Sequence, residues 1–229
     1  MSKYKSVVMI GATGAVGSEA LKVLTQMGSV KRVTVLGRRH LDGVGSKKVE
    51  QHIVDLFDPE TYQTFLPGHT TAICTLGVGE PSKASKEQFT KIDKDVPLQF
   101  ATFCKAAGVE HFQLLSSIGA SSKSRSFFLR SKGELEDGLE NLAFEHLSLF
   151  HPSMILTPKN RYGLSQAVVL AVWPLLGSIL FGPMRKLRGI KVADLGAAIA
   201  RNVVSSGTGT EWLEWDDFVG SRTPSVQRG

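Results

Sequence analysis

Val7-Val8-Met9-Ile10-Gly11-Ala12-Thr13-Gly14-Ala15-Val16-Gly17 is the stretch on which the fold turns. An apolar run enters three glycines, and Leu21, Leu24 and Met27 follow at helical spacing, so the segment reads as strand, tight turn and helix. Gly11 permits a sharp exit from the strand. Gly14 has no Cβ, so a pyrophosphate can approach the backbone. Gly17 lets the helix pack closely against the strand. Thr13, Ala15 and Val16 complete the loop, and the free N–H groups of the first helical turn face the phosphates. A glycine-rich turn with no ligand is the alternative; the strand before it and the helix after it are the context that speaks for a dinucleotide.

Downstream, Val33 to Leu36 form a β-branched run ending at Gly37, followed by Arg38 and Arg39. A dinucleotide fold places an Asp or Glu about 20 residues past the glycine turn when it binds the ribose 2′-OH. An acid there would repel a 2′-phosphate, whereas two guanidinium groups would pair with one. Arg38 and Arg39 therefore point to NADP(H) over NAD(H), with a solvated basic turn as the other reading. Gln51 to Asp55 reads as a third strand whose Asp55, next to Leu56, could accept a hydrogen bond from an adenine amine. Thr71 to Gly77 reads as a buried fourth strand that places Thr75, Leu76 and Gly77 beneath the cofactor.

A long helix is expected next, with Phe89, Ile92, Val96, Phe100 and Phe103 on its apolar face and Gly108 after its end. Asp93 and Asp95 on it read as solvated surface acids rather than ligand contacts. His111 to Leu115 is a fifth strand ending in Ser116-Ser117. A helix with Phe128, Leu129, Lys132, Leu135 and Leu139 follows, then a sixth strand from Glu145 to Phe150 ending at His151-Pro152. The serine-rich loop from Gly119 to Ser126 borders the expected site and could move on ligand binding. Strand and helix alternate throughout, which implies an α/β fold of Rossmann type, a doubly wound parallel sheet covered on both faces. The expected organisation is a cofactor-binding domain over 1–152 and a small helical lid or substrate segment over 153–229, packed on the same domain.

The last third is different in character. Leu164 to Met184 is strongly apolar, and Arg185, Lys186, Arg188 and Lys191 follow it. Its length approaches a membrane span, but Pro174, Gly177, Ser165 and Gln166 interrupt it. A lid helix over the substrate cleft, a dimer interface and an interfacial membrane helix with a basic flank are the three readings. Ala193 to Val204 reads as a helix and Glu211 to Trp215 as a short strand.

The 229 residues suffice for one sizeable domain with a small appendage, and 42% hydrophobic with 21% charged residues is ordinary for a globular chain. A net charge of +6 suits anionic ligands, yet the basic residues are dispersed and no nucleic-acid recognition motif is found, so no nucleic-acid partner is expected. Cys74 and Cys104 read as buried thiols, and the six histidines form no metal-ligand set, so no metal is expected. The first five residues lead straight into a strand without room for a signal peptide, which makes the cytoplasm the default location.

Gly11 to Gly17, Gly37-Arg38-Arg39, Leu114-Leu115-Ser116-Ser117 and Lys132-Gly133-Glu134-Leu135-Glu136 together resemble the atypical short-chain dehydrogenases. The nearest branch resembles the Tat-interacting-protein oxidoreductases and their bacterial and fungal relatives. The resemblance runs from Val7 to about Val204 and is weakest between Thr157 and Lys191. It implies a Rossmann fold that binds NADP(H), and a catalytic Ser, Tyr and Lys with the Lys four residues after the Tyr. That spacing puts Tyr and Lys on one helical face. Ser116 or Ser117 and Lys132 match, with Lys132 also holding the nicotinamide ribose, but Phe128 stands at the Tyr position. Phenylalanine has no proton to give, and a general acid typically contributes about 10²- to 10⁴-fold. Ser117, Tyr162 and His151 are substitutes by location. The chain is thus expected to be an oxidoreductase on a small carbonyl or alcohol, or else a weakly active or inactive cofactor-binding regulator or redox sensor. Either could be a monomer or homodimer and could touch a membrane through 164–191.

Overall fold

A computed structural model describes residues 4–79, 84–157 and 182–220. Its centre is a strand, β1 (Lys5–Ile10), whose four apolar residues Val7 to Ile10 are all fully buried. Helices cover both faces of the sheet, so both sets of alternating side chains are apolar, as a two-sided parallel strand requires. On one side Val7 and Met9 meet α1 (Ala15–Gln26) through Leu24, and α5 (Val192–Asn202) through Leu195 and Ile199. On the other, Val8 and Ile10 join a core with α3 (Val96–Ala106) through Phe100, and α4 (Phe127–Asn141) through Leu135 and Leu139.

The remaining strands are β2 (Val30–Gly37), β3 (Val49–Ile53), β4 (Thr71–Cys74), β5 (His111–Leu115), β6 (His146–Phe150) and, late in the chain, β9 (Gly209–Leu213). They form a seven-stranded sheet in the order β3-β2-β1-β4-β5-β6-β9, with every pairing parallel. This is the Rossmann-type doubly wound α/β architecture. The winding reverses at β1, which lies between β2 and β4, and in such sheets the crevice at that reversal receives ligands.

Several boundaries differ from the sequence expectation, each for a local reason. β4 stops at Cys74 because its partner ends there: Ile10 pairs with Cys74, and β1 then turns away at Gly11. Thr75 to Gly77 therefore leave the sheet as a loop. β3 begins at Val49 and ends at Ile53, so Asp55 lies past the strand. β9 starts at Gly209 and ends at Leu213, because Glu214 and Asp217 form a reciprocal capping box that begins the short helix α6 (Trp215–Val219).

The expected long helix after β4 is interrupted. A short helix α2 (Lys86–Thr90), capped by Ser85 with Gln88, passes into a π-helical turn over Lys91–Asp95 before α3 begins. Beyond β6, the short strands β7 (Ile155–Leu156) and β8 (Ile190–Lys191) pair in a small parallel sheet of their own. The C-terminal segment adds β9 and α5 to the main sheet and its covering layer. The apolar stretch 164–184, apart from 182–184, and Tyr162 lie outside the described residues. Among the described residues no helix is long and apolar enough to cross a membrane.

Candidate cofactor and catalytic site

The turn after β1 has the geometry its glycines suggest. Gly11 adopts φ +84°, and a Cβ there would fall 2.5 Å from the Thr75 carbonyl carbon. A Cβ on Gly17 would strike the Gly11 carbonyl and the Thr75 hydroxyl. The Gly14 N–H donates to Gly11 O (2.9 Å) and closes the turn. Gly14 is also the N-cap of α1, so no side chain caps that helix, and its first turn contains no acid. The helix start is an uncovered set of N–H donors at the positive end of the dipole, the arrangement that accepts a pyrophosphate. Ala12, Val16 and Gly17 are buried, while Thr13 is exposed on the outside of the loop. Thr75 fixes the floor, its hydroxyl and its N–H both donating to Ile10 O.

Arg38 and Arg39 are exposed in the bend just after β2, next to β1 in the sheet. Asp55 is exposed beyond β3 and accepts the Phe57 N–H (2.9 Å), while Leu56 is buried in the core. A groove of about 660 Å³ opens beside Phe57 and runs past Lys91, Val96 and Gln99.

Lys132 and Asp93 lie deeper. Asp93, expected to be solvated, is 3% exposed and Lys132 5%. Their charges meet at 2.9 Å. The other Asp93 oxygen accepts the Val78 N–H at 2.7 Å, and a Cβ on Gly77 would come within 3.0 Å of the carboxylate. The π turn explains the departure. Its wider backbone shifts the phase of the helix, so a residue that 3.6-residue periodicity places outside faces the interior. Asp95 is exposed, as expected. The exposed Lys94–Glu134 pair (3.0 Å) also ties the π turn to α4.

A second polar group occupies the ends of β5 and β6. Ser116 Oγ donates to Glu136 Oε1, and His151 Nε2 lies 2.9 Å from the same oxygen. All three side chains are buried. Ser117 is only partly buried, and its hydroxyl has a long 3.4 Å contact to Ile118 O. Phe128 is partly buried, with its ring 5.2 Å from that of Phe89. The structure thus brings Ser116 and His151 together through Glu136. Sequence reading did not single out Glu136 for this cluster, although its spacing from Lys132, four residues along the helix, was a usable signal.

Cys74, at the C-terminal end of β4, is fully buried, and burial pushes its thiol up to about 12. Burial likewise raises Cys104 well above the ordinary thiol range. Both remain protonated and unreactive at neutral pH. Among the described residues no group of His, Cys, Asp and Glu is placed to hold a metal ion. At the described end of the apolar stretch, Arg185 pairs with Asp216 (2.8 Å) and Lys186 approaches Glu214 (4.0 Å), while Met184 and Leu187 are exposed.

Comparison with known proteins follows the same lines. The solved UDP-N-acetylglucosamine 4-epimerase from Methanobrevibacter ruminantium superposes with a TM-score of 0.69 at 15% identity, covering 93% of this chain and 77% of the other. The Bordetella bronchiseptica enzyme WbmH in complex with NAD+ gives 0.65 at 16% identity, covering 92% and 75%. At such identities these likenesses speak for the fold. In sequence, the rat protein HTATIP2 is 37% identical over 159 residues, which span 69% of this chain and 65% of the rat protein. The mitochondrial protein FMP52 of Debaryomyces hansenii is 29% identical over 212 residues, spanning 89% and 91%. The family described as NAD(P)H-binding matches residues 11–146, from the first glycine of the turn to the start of β6, and the chain belongs to that family.

Proposed function

We propose that this protein is an NADP(H)-dependent oxidoreductase acting on a small carbonyl or alcohol, in which Phe128 stands at the position the short-chain dehydrogenase pattern gives to a tyrosine. When bound, the nicotinamide supplies or accepts a hydride. The chain's own residues do the rest. The uncapped start of α1 holds the pyrophosphate, and Gly11 and Gly17 leave the backbone room for it. Lys132, on α4, offers its ammonium to the nicotinamide ribose, and Asp93 keeps that ammonium in place. Ser116 and Ser117, just past β5, are the two hydroxyls available to a substrate oxygen.

The observation that carries the cofactor preference is the exposed Arg38–Arg39 pair at the end of β2, in a stretch from Gly37 to His40 without an acid. Replacing both arginines by alanine is expected to weaken NADPH binding at least about tenfold and NADH binding hardly at all, since a charge-assisted contact is worth about 1.5–3 kcal/mol. Calorimetric titration with each coenzyme reads this directly. Equal losses for both would mean that the arginines do not read the 2′-phosphate.

A second reading, a cofactor-binding protein with little turnover, is favoured by the Phe128 ring, which packs against Phe89 and has no proton to give. In either case the stretch 164–191 is the part of the chain that would meet a membrane surface, with Met184 and Leu187 exposed at its described end.

A further inference from the structure

The missing phenol leaves a specific deficit. Reducing a carbonyl requires a hydride on carbon and a proton on oxygen, and the hydride belongs to the cofactor. The proton must come from the chain. Phe128, Lys132 and Glu136 stand four residues apart on α4, so they share one face over three consecutive positions. The first has no proton, the second is locked to Asp93, and the third carries a buried carboxyl that meets Ser116 on β5's end and His151 on β6's end through a single oxygen. The cluster lies at the C-terminal ends of the strands, where an open parallel sheet receives its ligands.

We propose that His151, Glu136 and Ser116 form the proton route that replaces the absent tyrosine, with Ser116 as the group touching the substrate oxygen and Glu136 and His151 as the positioning pair that holds and resupplies its proton. This rests on the oxidoreductase reading above. In the reducing direction the carbonyl carbon gains the hydride and the C=O π pair moves onto oxygen. That oxygen takes the proton of Ser116 Oγ as the new O–H bond forms and the Ser116 O–H bond breaks. His151 Nε2 then gives its proton to the Glu136 carboxylate, Glu136 passes it on to Ser116 Oγ, and His151 is reprotonated by one proton from bulk solvent, so one hydride and one solvent proton are consumed per turnover. A hydroxyl can both accept and donate and rotates about its Cβ–Oγ bond, so Ser116 can face Glu136 before transfer and the substrate during it. In alcohol oxidation the same steps run backwards.

The test is a cycle of four proteins: the natural chain, His151→Asn, Phe128→Tyr and the double variant. Asparagine can still hydrogen-bond Glu136 but carries no transferable proton. In the natural background His151→Asn is expected to lower kcat about 10²-fold with KM changed less than about twofold, within the usual range for losing a general acid. In the Phe128→Tyr background, where a phenol is restored, the same change is expected to cost less than about threefold. A support role would cost the same in both, because it acts on the fold rather than on the proton. NADPH affinity, read by fluorescence titration without substrate, should stay within about twofold in all four. Glu136→Gln, which keeps a side-chain oxygen facing Ser116, should repeat the pattern and carries the test should His151→Asn fail to fold. Equal fractional losses in both backgrounds, or NADPH affinity falling in step with kcat, overturn the route alone. No turnover by any variant over a carbonyl panel, with NADPH still bound, overturns the oxidoreductase reading and the route with it.

Discussion

β5 and β6 carry a polar cluster at each end, and the two clusters do different things. At the N-terminal end, His111 and His146 stack with ring centroids 3.9 Å apart. His111 Nε2 meets Ser148 Oγ at 2.8 Å, and Ser148, His146 and Asn202 all converge on Glu211 Oε1 at 2.8 to 3.0 Å. Those residues come from β5, β6, β9 and the end of α5, so the cluster sews the sheet's last strand and its covering helix to the rest. At the C-terminal end, Asp93–Lys132 stands against the loop after β4, and Ser116–Glu136–His151 lies just past the ends of β5 and β6. Both clusters gather histidine and serine around a glutamate. The difference lies in where the strands point: the N-terminal end of a doubly wound sheet is closed by its own partners, while the C-terminal end opens onto the crevice.

The strongest way to sharpen this contrast is to remove Lys132. Lys132→Met leaves Asp93 buried without its cation, and breaking a buried pair from one side typically costs about 3–5 kcal/mol. Urea unfolding should report a loss of that size, and NADPH affinity should fall with it. Adding Asp93→Asn should recover much of the stability, since no buried charge is then left unpaired, but none of the affinity. If the double variant binds NADPH as well as the natural chain, Lys132 is a structural residue like those at the other end.

Glu211→Ala is the matching change at the closed end. It leaves His146, Ser148 and Asn202 without their shared acceptor, for a loss of about 1–3 kcal/mol by the same measurement. NADPH affinity should stay within about twofold. A tenfold loss of affinity would mean that the two ends are coupled through β5 and β6 and that the division between them is wrong.

The sequence disclosed these two ends unequally. The glycine turn was legible because each glycine has a steric task that only its neighbours could reveal, and the structure places Thr75 and the Gly11 carbonyl where a Cβ would go. The order of strands followed from alternation with helices. Lys132 and Phe128 were legible as a spaced motif. Asp93 was not, because a π turn breaks the helical period on which exposure was judged, and no residue pattern announces such a turn. Glu136 and His151 lie 15 residues apart in different elements and meet only when α4 crosses the ends of β5 and β6. The closed-end cluster was equally hidden: its members spread from His111 to Glu211, and each alone reads as an ordinary strand or helix residue.

Acid provides the gentlest way to separate the ends. Burial first, then the charge of Arg32, lowers His69 from 6.5 to about 4, against a backbone hydrogen bond at Phe65 that raises it. Burial, helped by His146, lowers His111 well below 6.5. Burial raises Glu211, but hydrogen bonds from His146, Asn202 and Ser148 outweigh it and hold the carboxyl at about 2 instead of 4.5. His69 precedes β4, so all three groups sit at the closed end. Between pH 6.5 and 4 the unfolded chain binds protons that folded His69 refuses, so stability falls as pH falls through that window. Glu211 adds stability above 4.5 that is lost as pH falls from 4.5 toward 2. Glu211→Gln should therefore lower Tm by about 2–4 °C at pH 7, the shift expected per kcal/mol for a chain of this size. Thermal unfolding followed stepwise to pH 2.5 should show that gap narrowing below pH 4.5 as the natural carboxylate takes up its own proton. A gap that stays constant across the range would mean that the closed end is held by shape and neutral hydrogen bonds, with no charged carboxylate at its centre.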